Sequence, residues 1–260
     1  MMLFVIIAAV LGLGVGSFLN VLTLRLMSGE PIVMGRSACP HCHARLAARD
    51  LIPVVSYLAL RGRCRSCHAP ISPWYAAVEL STAACFALVA LHSGPALLMA
   101  SSGVMLQFFA QLVLTAGFIA LFVFDVRWLV VPDVISLPLA VFALAANLTL
   151  GVAWQSLLLG ALIGGGGYAL LWIASRGRWV GDGDIRLGVL LGAALGAWGA
   201  ALALYLAIVS GGLVAAILVL SGRRRVGEVL PMGAFLTLAG FVVMLYSKQI
   251  FIALHPYLGL

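Results

Sequence analysis

Long apolar runs recur from one end of this chain to the other, and they limit its possible folds more than any other feature. The runs cover residues 1–24, 74–92, 105–124, 134–150, 154–175, 187–220 and 229–252. Most approach the roughly 20 residues with which a helix spans a bilayer. Only 9% of the 260 residues are charged, whereas soluble domains carry about 25%. The sequence therefore predicts an all-α, polytopic membrane protein in a lipid bilayer.

The arginines between the runs predict the orientation. Seven lie between Arg25 and Arg65, so this stretch is expected in the cytoplasm and the N-terminus outside. The run 187–220 would be about 51 Å long as one helix, against roughly 30 Å of hydrocarbon. One crossing would place the arginines at 223–225 outside, whereas two crossings with a turn at residues 196–199 keep them inside. We therefore favour about eight transmembrane helices.

The expected organisation is a first transmembrane helix at 1–24, a polar cytoplasmic insert at 25–73 and a membrane-embedded domain at 74–260. Residues 1–24 have no basic start and no cleavage site, so we expect a retained helix and not a signal peptide. The net charge of +7 does not indicate nucleic-acid binding, because the arginines occupy the gaps between apolar runs. Glycines at 12, 14 and 16, and at 164–167, are typical of close helix packing.

The insert contains two C-x2-C pairs, which predict a metal site. Cys39 and Cys42 form the first pair, and Cys64 and Cys67 form the second, with 21 residues between them. Four thiolates are the tetrahedral set that a structural zinc prefers. Disulfides are the alternative, but a cytoplasmic insert would keep its thiols reduced. A site filled by four cysteines has no open position, so we expect it to support the fold and not to catalyse.

Other residues near the cysteines have simpler interpretations. His41, His43 and His68 adjoin the cysteines, and solvent-facing or supporting positions are favoured over direct metal binding. Cys85 lies in an apolar run and is expected to be a packed small residue. Glu79 also lies in an apolar run, where an acid must face protein or water. It is therefore either a functional residue or the acceptor of a buried hydrogen bond from a neighbouring helix.

Two aspartates are the candidate catalytic residues. Asp125 ends an apolar run, where the negative end of the helix dipole gives a carboxylate no capping role. Asp184 lies in Gly181-Asp-Gly-Asp184, before the next segment, and could also serve as its N-cap. Both fall at the cytoplasmic ends of helices, and paired carboxylates that share a proton can activate water against a peptide bond. Asp133 follows Pro132 at an ordinary helix start, so we expect it and Asp182 to matter less.

These motifs together resemble the type 4 prepilin peptidases, bacterial inner-membrane aspartyl proteases of the G-x-G-D type. The matching segments run along nearly the whole chain: Gly16-Ser-Phe-Leu-Asn-Val21 with Arg25, Leu51-Ile-Pro-Val-Val-Ser56, Arg61-Gly-Arg-Cys64, Ile71-Ser-Pro73 through Glu79-Leu80, Phe124-Asp125 with Val131-Pro132-Asp133, Gly181 to Leu187, and Pro231-Met-Gly-Ala-Phe-Leu236. Arg186 replaces the lysine usual in the G-x-G-D-x-K-L motif and keeps its positive charge.

The resemblance implies a function. Asp125 and Asp184 would be the catalytic pair, and the four cysteines would bind zinc in a cytoplasmic loop. The family removes short basic leaders from type IV prepilins or type II secretion pseudopilins at the cytoplasmic face. Many members then methylate the new N-terminal residue with S-adenosylmethionine. The methyl-donor site, the individual substrate, the system served and the oligomeric state do not follow from the sequence.

Three functions are compatible with the sequence. The first is a bifunctional prepilin peptidase and N-methyltransferase. The second is a G-x-G-D protease that does not methylate. The third is a non-enzymatic transporter or assembly protein, whose acids conduct protons and whose zinc loop binds a partner.

Overall fold

A computed structural model of the chain describes residues 2–32, 35, 37–97, 101–225 and 228–258. Within these ranges the chain is helical and forms no β-strand. The α-helices are α1 Met2–Ser28, α2 Val55–Ala59, α3 Pro73–Leu97, α4 Ser102–Trp128, α5 Asp133–Thr149, α6 Trp154–Ala161, α7 Gly167–Ser175, α8 Asp182–Leu220 and α9 Met232–Leu258. A π-helix, Leu162–Gly166, joins α6 to α7, so these three elements form one continuous rod.

The helices confirm the membrane-spanning runs. Five helical stretches are long and apolar enough to cross a bilayer, namely Met2–Ser28, Pro73–Gly94, Ser102–Trp128, Trp154–Ser175 and Asp182–Leu220. Two shorter apolar helices cover Asp133–Thr149 and Met232–Ser247. Between the predicted apolar runs 74–92 and 105–124, α3 continues to Leu97 and α4 starts at Ser102.

The chain reverses direction within α8, at Gly196. This glycine has φ 69° and ψ −174°, a conformation that a side chain disfavours. The part of α8 before Gly196 runs in the same direction as α9. Gly233 of α9 contacts Leu187, and Gly240, further along α9, contacts Leu191, which is further along α8.

After Gly196 the order of the contacts is inverted. Gly199 lies against Val243 of α9, and Gly211, further along α8, lies against Phe235, which comes earlier in α9. The two halves of α8 therefore run in opposite directions along α9. The reversal confirms the predicted hairpin, and the described residues form eight apolar helical segments when the two halves of α8 are counted separately.

The chain forms two compact units, Met1–Ser101 and Ser102–Leu260. In the first unit α1 packs on α3 through the predicted glycine contacts. A Cβ on Gly12 would come within 2.7 Å of Ala83 Cα, and one on Gly16 within 2.7 Å of Glu79 Cα. Gly14 faces open space, so only two of the three glycines in this run serve the packing.

In the second unit, a second glycine contact joins the rod of α6, the π-helix and α7 to the first half of α8. A Cβ on Gly164 would overlap the backbone of Gly188, and one on Gly192 would overlap that of Gly160. The core beside them is aliphatic, with Leu121, Leu190 and Leu236 essentially inaccessible. Because backbones touch here without intervening side chains, the register between these helices is tightly fixed.

Candidate active site

The cysteine insert is built from two copies of one turn, 25 residues apart. In the first copy, the Cys39 N–H donates to the Ala44 carbonyl and the His43 N–H donates to the Cys39 carbonyl. The second copy repeats both bonds, from Cys64 to Ala69 and from His68 to Cys64. Both histidines have positive φ, 54° and 57°, which closes each turn around its cysteine pair.

The two turns bring four sulfurs together. All four Sγ atoms, of Cys39, Cys42, Cys64 and Cys67, lie within 4.8 Å of one another. The Cys39 and Cys67 sulfurs are 3.8 Å apart, far longer than the roughly 2.05 Å of a disulfide. Four thiolates at a Zn–S distance of about 2.3 Å around a tetrahedral ion would be about 3.8 Å apart. The disulfide alternative is therefore wrong for this structure, and the cluster can hold a metal ion.

The surroundings of Cys39 favour its thiolate form. Backbone N–H groups of Cys42 and His41 hydrogen-bond the Cys39 sulfur and lower the pKa of its thiol to about 6. The thiolate is the form that binds metals. His41, His43 and His68 are exposed and lie outside the sulfur cluster, which confirms their predicted solvent-facing positions.

Glu79 has a structural partner in the insert. It is only 8% exposed, and its Oε2 accepts a 2.7 Å hydrogen bond from the Val54 N–H. The sequence allowed a bond to a neighbouring helix, but the donor is a loop backbone. Val54 has φ 60°, which strains a β-branched residue. The buried carboxylate of Glu79 therefore helps to hold an unfavourable backbone conformation in the Leu51–Ser56 motif.

Asp125 lies one turn before the end of α4, which continues to Trp128, and is 6% exposed. Its Oδ2 accepts a 2.7 Å hydrogen bond from the Ala234 N–H in the first turn of α9. Gly233 lies against the same carboxyl group, and a Cβ there would be 2.9 Å from Asp125 Cγ. The positive end of α9 thus faces the Asp125 carboxylate.

Sequence reasoning did not predict this contact between Asp125 and α9. The two segments are 109 residues apart in the chain. The sequence signal at this position is the Pro231–Leu236 motif, whose place in the site does not follow from its residues or spacing.

Asp184 lies in the first turn of α8, and its own N–H donates to the Gly181 carbonyl at 3.3 Å. Gly181 is the N-cap residue, so the possibility that Asp184 is the N-cap is wrong. The Asp184 carboxylate does accept a hydrogen bond from the Gly181 backbone N–H at the start of the helix. Asp184 and Asp125 are close enough for their charges to interact. The structure therefore brings the two predicted catalytic carboxylates together at one end of the second unit.

Arg186 connects the two aspartate motifs, but it forms an ion pair with neither Asp125 nor Asp184. Its Nε lies 2.9 Å from Asp133 Oδ1 and its second guanidinium nitrogen lies 2.9 Å from Asp182 Oδ2. The same guanidinium reaches the Val131 carbonyl at 3.5 Å. Arg186 thus ties the start of α5 to the start of α8, which orients the turn that carries Asp184.

Comparison with known proteins gives consistent matches. Residues 10–93 match the model of the bacterial peptidase A24 N-terminal domain, and residues 112–216 match that of the type IV leader peptidase family. A prepilin leader peptidase/N-methyltransferase of Pseudomonas aeruginosa is 36% identical, with 95% of this chain and 92% of the relative covered.

Other bacteria carry similar proteins of the same description. The relative from Burkholderia pseudomallei is 34% identical over 95% of this chain and 87% of its own length. The relative from Bacillus subtilis is 31% identical over 93% of this chain and 94% of its own length. No solved structure matches the chain. The geometry of the aspartates, the cysteine cluster and these relatives agree: the chain belongs to the type IV leader peptidase family.

Proposed function

We propose that this chain is a bacterial inner-membrane aspartyl endopeptidase that removes the short basic leader of type IV prepilins or type II secretion pseudopilins. It then methylates the new N-terminal residue with S-adenosylmethionine. The observation that carries the proposal is the meeting of Asp125 and Asp184 at the ends of two apolar helices. The description shared by relatives along nearly the whole chain supports the substrate class and the second activity.

Ion pairing distinguishes these two acids from their neighbours. Within residues 102–225 and 228–258, Asp133 and Asp182 pair with Arg186, and Glu228 pairs with Arg224. Asp125 and Asp184 form no ion pair in these ranges. A carboxylate held by a guanidinium is kept ionised and cannot readily take up and release a proton. The two unpaired acids are therefore the ones suited to proton transfer.

The pair would act as in other aspartic proteases, with one proton shared between two carboxylates. The ionised aspartate takes a proton from water, whose oxygen attacks the scissile carbonyl carbon. The protonated aspartate gives its proton to the carbonyl oxygen. As the tetrahedral intermediate collapses and the C–N bond breaks, the aspartate that took the proton from water gives it to the leaving nitrogen. The other aspartate regains its proton from a hydroxyl of the intermediate, which becomes the new carboxyl group. The Ala234 N–H holds Asp125 in place throughout.

The arginines support a cytoplasmic active site. Seven arginines follow residue 101, and all of them lie near the ends of the helices that carry the aspartates. Arg127 is at the end of α4 and Arg186 at the start of α8, and the others are in the connections before and after α8: Arg176, Arg178, Arg223, Arg224 and Arg225. The reversal at Gly196 places the last three on the same side as the others. An excess of arginine marks the cytoplasmic side. The same rule places the arginine-rich insert, residues 25–73, in the cytoplasm.

The metal in the insert is zinc, held by Cys39, Cys42, Cys64 and Cys67. Four sulfurs leave no position for a reacting water, so the ion supplies folding energy and no chemistry. The insert at 25–73 is then a metal-stabilised module between a first transmembrane helix at 1–24 and the membrane-embedded peptidase domain at 74–260.

The test is incubation of the detergent-purified protein with a prepilin and a methyl-labelled donor, with cleavage and label scored separately. Asp125→Asn and Asp184→Asn should each abolish cleavage, whereas Asp133→Asn and Asp182→Asn should retain some. Cleavage without label would indicate a protease that does not methylate. Near wild-type cleavage by Asp184→Asn and Asp184→Glu would contradict the peptidase assignment and favour the non-enzymatic alternative.

A further inference from the structure

The glycine contacts between α6, the π-helix, α7 and α8 follow a regular antiparallel register. Ser156 Oγ accepts a 3.2 Å hydrogen bond from the Ala197 N–H and lies 2.8 Å from a Cβ built on Gly196. One step further, Gly160 meets Gly192, and a third step brings Gly164 to Gly188. As the residue number on the rod rises by four, the number of the residue that it contacts on α8 falls by four.

A further step of four residues leads from this register to Tyr168 on the rod and Asp184 on α8. The two residues are close enough for the charge of Asp184 to act on the Tyr168 phenol. The π-helix Leu162–Gly166 lies immediately before Tyr168 and changes the direction in which the following side chains leave the rod. Such π-helical insertions occur frequently at functional sites. The rod therefore delivers one aromatic side chain to the first turn of α8.

The Tyr168 hydroxyl is buried and lacks a hydrogen-bond partner among the described residues. The residue is only 4% exposed and belongs to the aliphatic cluster that includes Leu187 and Leu190. A buried polar group without a partner destabilises a fold, and phenylalanine would fill the same space without that cost. Packing alone therefore accounts for the ring of Tyr168 but leaves its hydroxyl unexplained.

We propose that Tyr168 is a positioning residue, whose hydroxyl donates a hydrogen bond to the Asp184 carboxylate when the two aspartates close on a peptide. This inference rests on the proposed catalytic role of Asp184. The phenol stays neutral and transfers no proton, so it fixes the orientation of Asp184 towards the attacking water. A hydrogen bond to a charged group in a water-poor site is strong enough to affect turnover.

Tyr168→Phe tests the proposal, because it removes one oxygen atom and leaves the ring in place. The variant should melt at or above the wild-type temperature, since it removes an unpartnered polar group. Its kcat for leader cleavage should fall about 10- to 100-fold, the range expected for one hydrogen bond to a charged group. Its KM should stay unchanged, because the peptide itself does not contact the hydroxyl.

Tyr205→Phe is the matched control, since Tyr205 lies on α8, is 63% exposed and undergoes the same chemical change. It should cleave at the wild-type rate. A wild-type kcat for Tyr168→Phe, a change in KM alone, or a lower kcat with a lowered melting temperature would overturn the proposal. Asp184→Asn is measured in parallel. If that variant is inactive while Tyr168→Phe is unaffected, only the role of Tyr168 is wrong; if Asp184→Asn is active, the catalytic assignment itself fails.

Discussion

Gly233→Ala should reduce leader cleavage strongly without unfolding the protein. A Cβ at this position would lie 2.9 Å from Asp125 Cγ and 3.0 Å from its Oδ2, where ordinary contacts begin at 3.4 Å. The Asp125 carboxyl group must therefore retreat by about 0.5 Å. Its 2.7 Å hydrogen bond from the Ala234 N–H would then stretch to about 3.2 Å, the upper limit for such a bond.

The size of the effect follows from that bond. A hydrogen bond to a charged group contributes about 1.5–3 kcal/mol, and each 1.4 kcal/mol corresponds to about tenfold in rate. Loss of about half of it should lower kcat by about three- to tenfold. Helix propensity should not destabilise the variant, since alanine is favoured over glycine in helices by about 1 kcal/mol. The Leu187 side chain, whose Cδ1 is 2.8 Å from the new Cβ, can rotate away.

The assay is the initial rate of prepilin cleavage by purified protein, followed on gels, with the melting temperature measured alongside. Gly212→Ala is the matched control, because Gly212 is an exposed glycine of α8 whose added Cβ would meet nothing within 4 Å. It should cleave at the wild-type rate. A folded Gly233→Ala variant with wild-type kcat would refute the claim that α9 positions Asp125.

Two further predictions concern the insert and the topology. Metal analysis of the purified protein should find one zinc per chain, and a quadruple variant should lose it: Cys39→Ser, Cys42→Ser, Cys64→Ser and Cys67→Ser together. Chelation should make residues 25–73 sensitive to protease before the membrane helices melt; full zinc in the quadruple variant would contradict the assignment. Cysteine-accessibility labelling should place residues 25–73 and 223–225 in the cytoplasm, and periplasmic labelling at 223–225 would exclude the reversal at Gly196.

Features set by local composition could be predicted from the sequence. The predicted apolar run 134–150 became Asp133–Thr149, and the run 154–175 became a rod with those limits. The mean hydropathy of a segment depends only on the side chains of consecutive residues, so it can be calculated from one sequence. The turn near Gly196 was predictable for a different reason: one helix was too long for one crossing, and the arginines at 223–225 required a second.

Features set by contacts between distant segments could not be predicted. The sequence suggested that Arg186 supplies positive charge beside Asp184, yet its guanidinium pairs with Asp133 and Asp182. The sequence also placed the Asp125 carboxylate at the negative end of a helix, with no group to offset its charge. In the structure the Ala234 N–H donates a hydrogen bond to that carboxylate. In each case the partner depends on how whole helices pack, which periodicity and spacing do not encode.

The reversal at Gly196 is a precondition for the geometry around Asp125. A straight α8 of 39 residues would be about 58 Å long, with the aspartate motif at its start. From Leu220 to Met232 the chain takes 12 residue steps, which span at most about 43 Å when fully extended. The first turn of α9 could then not return to Asp125. Because Gly196 folds α8 back on itself, Leu220 ends on the side where α8 began, and a short connection suffices. A glycine about 18 Å along the helix from Asp184 thus determines whether the Ala234 N–H can reach Asp125.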